Sequence, residues 1–162
     1  MRGSYIYRMN AIGSHRKRSR RGATVLEMAI ILPLFLTLAL GMLDLGIAVF
    51  RYHIITEAAR QGTRQAIVHG SRSNEPWGPA AYSGTGNDAH PLVDALHELL
   101  FNSGLDLSQV TIQAEWPDAG NDPMEENRVQ VSVSVPYHPI VTFIFGNPTY
   151  TLQATSTMII CH

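Results

Sequence analysis

Apolar and polar positions alternate along this chain in three different rhythms. From Ala23 to Phe50 the apolar residues are nearly continuous, and only Glu27 and Asp44 are ionisable. The run from Met28 to Leu43 holds 16 residues without a charge. That is slightly short of the about 20 residues needed to cross a bilayer, and extension through Leu45–Phe50 makes it ample. From Ile54 to Ile67 the apolar residues recur at three-to-four spacing, which predicts that the helix continues beyond the apolar run. The next proline after Pro33 is Pro76, and Gly70 is a suitable stop. One helix over Ala23–His69 is expected, 47 residues and about 70 Å long, with Pro33 as a point of kinking.

Residues 71–90 read as a loop, because Ser73-Asn74-Glu75-Pro76 and Ser83-Gly84-Thr85-Gly86-Asn87-Asp88 are turn chemistry. A helix over Pro91–Asn102 follows, opened by a proline and carrying Leu92, Leu96, Leu99 and Leu100 on one face. The last third has period two. Val110, Ile112 and Ala114 alternate with polar residues, and Val129, Val131, Val133 and Val135 do so strictly. Pro136 and Pro139 are expected to end that strand, and Ile140–Phe145 to form a short helix. Thr149–Ile160 reads as a final strand with Tyr150, Leu152, Ala154 and Ser156 on one face. The expected fold class is α+β: a long N-terminal transmembrane helix continuing into a small domain with one helix and a roughly three-stranded antiparallel sheet. The divisions are 1–22 as a basic tail, 23–70 as the transmembrane and extended helix, and 71–162 as the α+β domain.

Charge turns this pattern into a topology. Residues 1–22 carry Arg2, Arg8, Arg16, Lys17, Arg18, Arg20 and Arg21 and no acid, whereas residues 71–162 carry two arginines against ten carboxylates. The near-neutral total of -1 hides this asymmetry. Arg16, Lys17, Arg18, Arg20 and Arg21 directly precede the apolar run, so the positive-inside rule puts the N-terminus in the cytoplasm and the acidic domain outside the inner membrane. The apolar region is longer than a secretory signal core and lacks a clear small-x-small site, so an uncleaved anchor fits better than a secreted chain. A basic head beside a spanning helix is read as topology rather than nucleic-acid binding. Asp44, near the far end of the run, reads either as an interfacial carboxylate or as one with a specific partner.

Catalytic chemistry finds little support. No Gly-x-Ser-x-Gly elbow and no phosphate-binding loop occurs. The seven histidines are scattered, and the single cysteine, Cys161, excludes an internal disulfide and a multi-thiolate zinc site. No metal and no cofactor is expected, and Trp77 and Trp116 read as packing residues.

The segments Arg21-Gly22-Ala23-Thr24-Val25-Leu26-Glu27-Met28-Ala29, Leu32-Pro33, Gly41-Met42-Leu43-Asp44-Leu45-Gly46 and Ala58-Ala59-Arg60-Gln61-Gly62-Thr63-Arg64 together resemble the TadE-like family. Members of that family look like minor pseudopilins of the bacterial tight-adherence (Tad/Flp) pilus system. The likeness covers about residues 21–66, with weaker similarity at Val129–Pro139 and Leu152–Met158. Met28 stands where an aromatic is usual, and Asp44 where Glu is more frequent. The resemblance implies prepilin-type cleavage between Gly22 and Ala23, where a residue without a side chain lets the scissile bond approach an active site. It implies a partner-pairing role within the membrane for Glu27, with Asp44 as a second candidate. The implied partners are inner-membrane lipid, pilin and other pseudopilin subunits, Tad platform proteins and a prepilin peptidase. Two rival classes remain: an uncleaved, membrane-anchored periplasmic binding or chaperone module, and a small tethered hydrolase.

Overall fold

A computed structural model of the protein describes residues 21–141, 146 and 149–161. The chain orders as α1 (Arg21–Ile67), β1 (Tyr82–Thr85), α2 (Pro91–Asn102), β2 (Thr111–Glu115), β3 (Arg128–Tyr137) and β4 (Tyr150–Ile159), with one 3₁₀ turn at Pro123–Glu125. The four strands form one antiparallel sheet in the order β1-β2-β3-β4. The α+β class holds, and a fourth strand is added to the three expected.

The long helix is continuous over 47 residues and passes through Pro33. The described residues divide between Leu36 and Thr37 into two compact units. The first is helix alone, with apolar side chains such as Val25, Ile30, Leu34 and Phe35 open to the surroundings. The second runs from Thr37 to His162 and holds the core. It takes in the second half of α1. Ile55, Ala58, Ala59, Thr63 and Ala66 of α1 are completely or almost completely buried, so the second half of α1 is a wall of the domain.

That wall is built from small residues. A Cβ on Gly62 would come within 3.1 Å of the Val131 side chain and 3.3 Å of the Leu96 side chain. Absence of a side chain there lets α1 lie against both β3 and α2. Leu92, Val93, Leu96 and Leu100 of α2 complete the helical layer, and Gln61 Nε2 donates to the Ala95 carbonyl at 3.3 Å. The opposing layer is one face of the sheet: Ile112 and Ala114 from β2, Val129, Val131, Val133 and Val135 from β3, and Ala154 from β4. These are the inward positions of the period-two pattern, so the strand phase read from the sequence is the observed one.

Three local expectations are revised. β1 falls inside the segment read as loop; Tyr82–Thr85 pairs with Ala114–Thr111. Its four residues contain a glycine and no apolar alternation, and only the β2 edge makes them a strand. Pro136 does not end β3, which continues to Tyr137 with Pro136 opposite Thr151 and Tyr137 opposite Tyr150. The last pair with β2 is Thr111–Ser134, so beyond Ser134 one side of β3 is unpaired and a missing amide is tolerated. The short helix expected over Ile140–Phe145 lies mostly outside the described residues; Ile140 and Val141 themselves form a turn. The second helix, in contrast, has the expected bounds, Pro91–Asn102.

Direction follows from these contacts. Tyr137 meets Asp44, Val131 meets Gly62, and the Cys161 amide donates to the Ile67 carbonyl at 3.1 Å. β3 therefore runs antiparallel to α1, and the β3–β4 end of the sheet lies at the Asp44 end of the helix.

Candidate functional site

Among the described residues, α1 is the one helix long and apolar enough to cross a membrane, from Gly22 to Ile67. Such a row of exposed Leu, Ile, Val, Phe and Met is far larger than the apolar patches of a water-surrounded monomer. This suggests a membrane anchor. Gly22 and Ala23 occupy the first turn, and Gly22 has open space where a side chain would be. Glu27 is exposed on the helix surface, with no ion pair among the described residues. Arg21 opens α1, whereas Arg16, Lys17, Arg18 and Arg20 lie outside the described residues.

Asp44 is different. It is 7% exposed in a stretch of helix whose apolar neighbours Leu43 and Leu45 are mostly open. Its Oδ1 accepts from the Tyr137 hydroxyl and from the Ile140 amide at 3.0 Å, and its Oδ2 accepts from the Val141 amide at 3.0 Å. The Tyr137 hydroxyl also lies 2.8 Å from the Asp44 carbonyl. The Asp44 carboxylate thus takes its hydrogen bonds from its own chain. A carboxylate accepting several donors in a shielded place is a strong, charge-assisted arrangement. Burial first, and then the facing carboxylate, push the Tyr137 phenol up to about 12, so it is a donor at any physiological pH. The Arg51 guanidinium lies 5.5 Å from the centre of the Tyr137 ring, a cation–π distance.

Sequence reasoning singled out Asp44 and missed Tyr137. A signal was available, since Tyr137 continues the inward period two of Val133 and Val135, but Pro136 masked it. Nothing in the local pattern could have paired residues 93 apart.

A groove of about 660 Å³ adjoins this cluster. Thr37, Gly41, Leu45 and Ala48 of α1 line one side, and Val141 and Leu152 belong to the other. Apart from Asp44 and Tyr137, whose polar atoms face each other, it is predominantly apolar.

The remaining polar clusters hold turns together. His90 caps α2, its Nδ1 accepting from the Leu92 amide at 3.2 Å while its ring stacks on Tyr82. Burial holds the His90 imidazole below its ordinary value, against a smaller opposing pull from Asp94. Asp118 pairs with Arg128 through Oδ1–Nη2 at 2.8 Å and Oδ2–Nε at 3.0 Å, which holds its carboxyl below the usual range. Asp88 closes its turn by accepting from the Thr85 amide and hydroxyl. Trp77 stacks on His69, and Trp116 packs against Gly78. No group of three or more His, Cys, Asp or Glu side chains among the described residues is placed to hold a metal ion.

Comparison with known proteins adds one finding. No curated protein and no solved structure matches the chain. The family model described as TadE-like protein matches residues 22–64. The match begins at Gly22, includes Glu27 and Asp44, and ends one residue after the buried Thr63. Its Ala58-Ala59 and Gly62-Thr63 are the small residues by which α1 approaches the sheet, so one helix carries both the membrane-length apolar run and the packing face of the domain. By this match residues 22–64 of the chain are similar to the TadE-like family.

Proposed function

We propose that this protein is a non-enzymatic minor pseudopilin, or an assembly component, of a Tad/Flp-type pilus or related secretion apparatus. The observation that carries the reading is the TadE-like match from residue 22, which begins at the glycine before the apolar run. In this reading α1 anchors the chain in the inner membrane, with residues 1–22 in the cytoplasm and the folded domain in the periplasm. The orientation is supported by Arg16, Lys17, Arg18, Arg20 and Arg21 before the run and by the acidic balance after it.

A prepilin peptidase acting between Gly22 and Ala23 removes all seven positive charges of the head together. What remains carries a new α-amine on Ala23, four positions before Glu27. Without the basic anchor the helix is drawn from the bilayer more readily, so cleavage licenses assembly. Glu27 then supplies the carboxylate that selects a neighbour, since an unpaired charge in lipid is unfavourable and the amine of an adjacent subunit relieves it. The Asp44 carboxylate is engaged by Tyr137, Ile140 and Val141, which leaves Glu27 as the group for an intermolecular pair. Pilin and other pseudopilin subunits and platform proteins of the Tad system are the partners in this reading.

N-terminal sequencing of the protein from membranes of cells with an active prepilin peptidase tests it. A chain beginning at Ala23, lost in Gly22→Leu, and co-purification with Tad components that weakens in Glu27→Leu are the expected results. A chain still beginning at Met1 and purifying without pilus components would make it an uncleaved periplasmic module instead.

A further inference from the structure

We propose that the β3–β4 end of the folded domain is itself a membrane-contact surface, seated in the bilayer interface with lipid acyl chains filling the groove beside α1. This rests on the reading that α1 spans a membrane, and goes beyond it by placing part of the sheet at the membrane as well.

The first argument is length. The uncharged run Met28–Leu43 is 16 residues, about 24 Å of helix, against about 30 Å of hydrocarbon. About four more residues are needed. Taken from Ala23–Glu27 on one side or from beyond Asp44 on the other, they leave Asp44 within about 6 Å of the hydrocarbon boundary. A carboxylate there is tolerated only with its hydrogen bonds made. All the donors are brought by the domain: the Tyr137 hydroxyl and the amides of Ile140 and Val141. Whatever depth Asp44 has, the end of β3 shares it.

The second argument is the surface at that level. Ile140, just after β3, and Tyr150, which opens β4, are 53% and 54% exposed. On α1 the open apolar positions do not stop at Asp44 but continue through Leu45, Val49 and Phe50. The first cation after the run is Arg51, seven residues or about 10 Å past Asp44, with its guanidinium over Tyr137. An apolar band, then tyrosines, then a cation is the order in which a protein surface passes from hydrocarbon to headgroups. The third argument is continuity. The groove is lined by Thr37 and Gly41, inside the uncharged run, as well as by Val141 and Leu152 of the domain. A cleft that includes positions of the spanning segment opens onto acyl chains, which makes lipid its occupant.

The full chain in vesicles of phosphatidylethanolamine and phosphatidylglycerol tests this. With Cys161→Ser as background, single cysteines replace Ile140, Tyr150, Leu36 as a reference in the span, and Met124 as a reference on an exposed turn, and each carries a nitroxide. All four positions are exposed, so the fold is not at stake. Labels at 140 and 150 are expected to collide with oxygen severalfold more, relative to a water-soluble nickel chelate, than the label at 124. If 36 is lipid-like but 140 and 150 behave like 124, the proposal is overturned while the spanning reading stands. If 36 is also nickel-accessible, the spanning reading fails and the proposal with it. Spin–spin broadening at 150 with neither oxygen nor nickel contact would show a second copy in the groove, which also overturns it.

Discussion

Asp44 and Tyr137 join the long helix to the end of the third strand: the phenol donates to the carboxylate and lies 2.8 Å from the carbonyl of the same residue. The contact closes over 93 residues of chain. It fixes the level at which the sheet meets the helix, because Tyr137 is the last residue of β3 and Ile140 and Val141 follow within four residues. Removing the hydroxyl in Tyr137→Phe keeps the ring beneath Arg51 but leaves the buried carboxylate with its two amides alone. A loss of about 1–3 kcal/mol in unfolding free energy is expected. Denaturation of the full chain in detergent measures it, and Asp44→Ala combined with Tyr137→Phe should cost less than the two changes summed.

Gly62 sets how closely α1 approaches the domain. Gly62→Leu forces four carbons into space already held by Val131, Leu92 and Leu96. Overpacking of this kind costs about 1–3 kcal/mol, seen as a lowered unfolding midpoint. Arg64→Leu, on the exposed side of the same helix, should leave the midpoint nearly unchanged.

Val131 is fully buried, packed toward Gly62 across the layer interface. Val131→Asp places a charge with no partner in that interface and should abolish cooperative unfolding. Glu115→Asp, at an exposed strand end, is the matched control and should unfold like the parent. Tolerance of Val131→Asp would contradict the observed face of β3.

Removing α1 exposes the inward face of the sheet, because Ile55, Ala58, Ala59 and Ala66 cover it. A chain starting at residue 71 is therefore expected to aggregate or to lack a cooperative transition. A chain starting at residue 37, in detergent, should retain one. Circular dichroism with thermal denaturation distinguishes the two.

His90 introduces a pH dependence of known sign. Its cap requires an unprotonated Nδ1, and burial lowers its pKa from 6.5. The unfolded chain then binds the proton more readily than the folded one. Stability from this group is complete above about pH 6.5 and falls as the pH drops below it. Asp88, Asp106 and Asp118, held below 3.8 mainly by their hydrogen bonds, lose their contribution only at pH values under that. Between these windows, His90→Asn should flatten the stability profile, since asparagine caps a helix without titrating. An unchanged slope between pH 6.5 and 4 in that variant would remove His90 as the cause.

Elements whose cause is local could be read before any coordinates. The apolar run needed only its length, α2 only Pro91 and its leucine face, and the phase of β3 only four alternating valines. The TadE-like likeness was visible in the same way, since its residues lie in one continuous helix and their spacing survives in one dimension. Elements whose cause is a neighbour could not. Tyr82–Thr85 becomes a strand because β2 offers it a free edge, and Pro136 stays in a strand because β2 has already ended beside it. Helical spacing alone does not tell which face meets a sheet; packing made Ala58, Ala59, Gly62 and Thr63 a core wall. Asp44 shows the contrast within one residue. Its sequence position left open an interfacial carboxylate or one with a specific partner, and only the tertiary structure, by bringing the end of β3 alongside α1, gives it the Tyr137 hydroxyl as a donor.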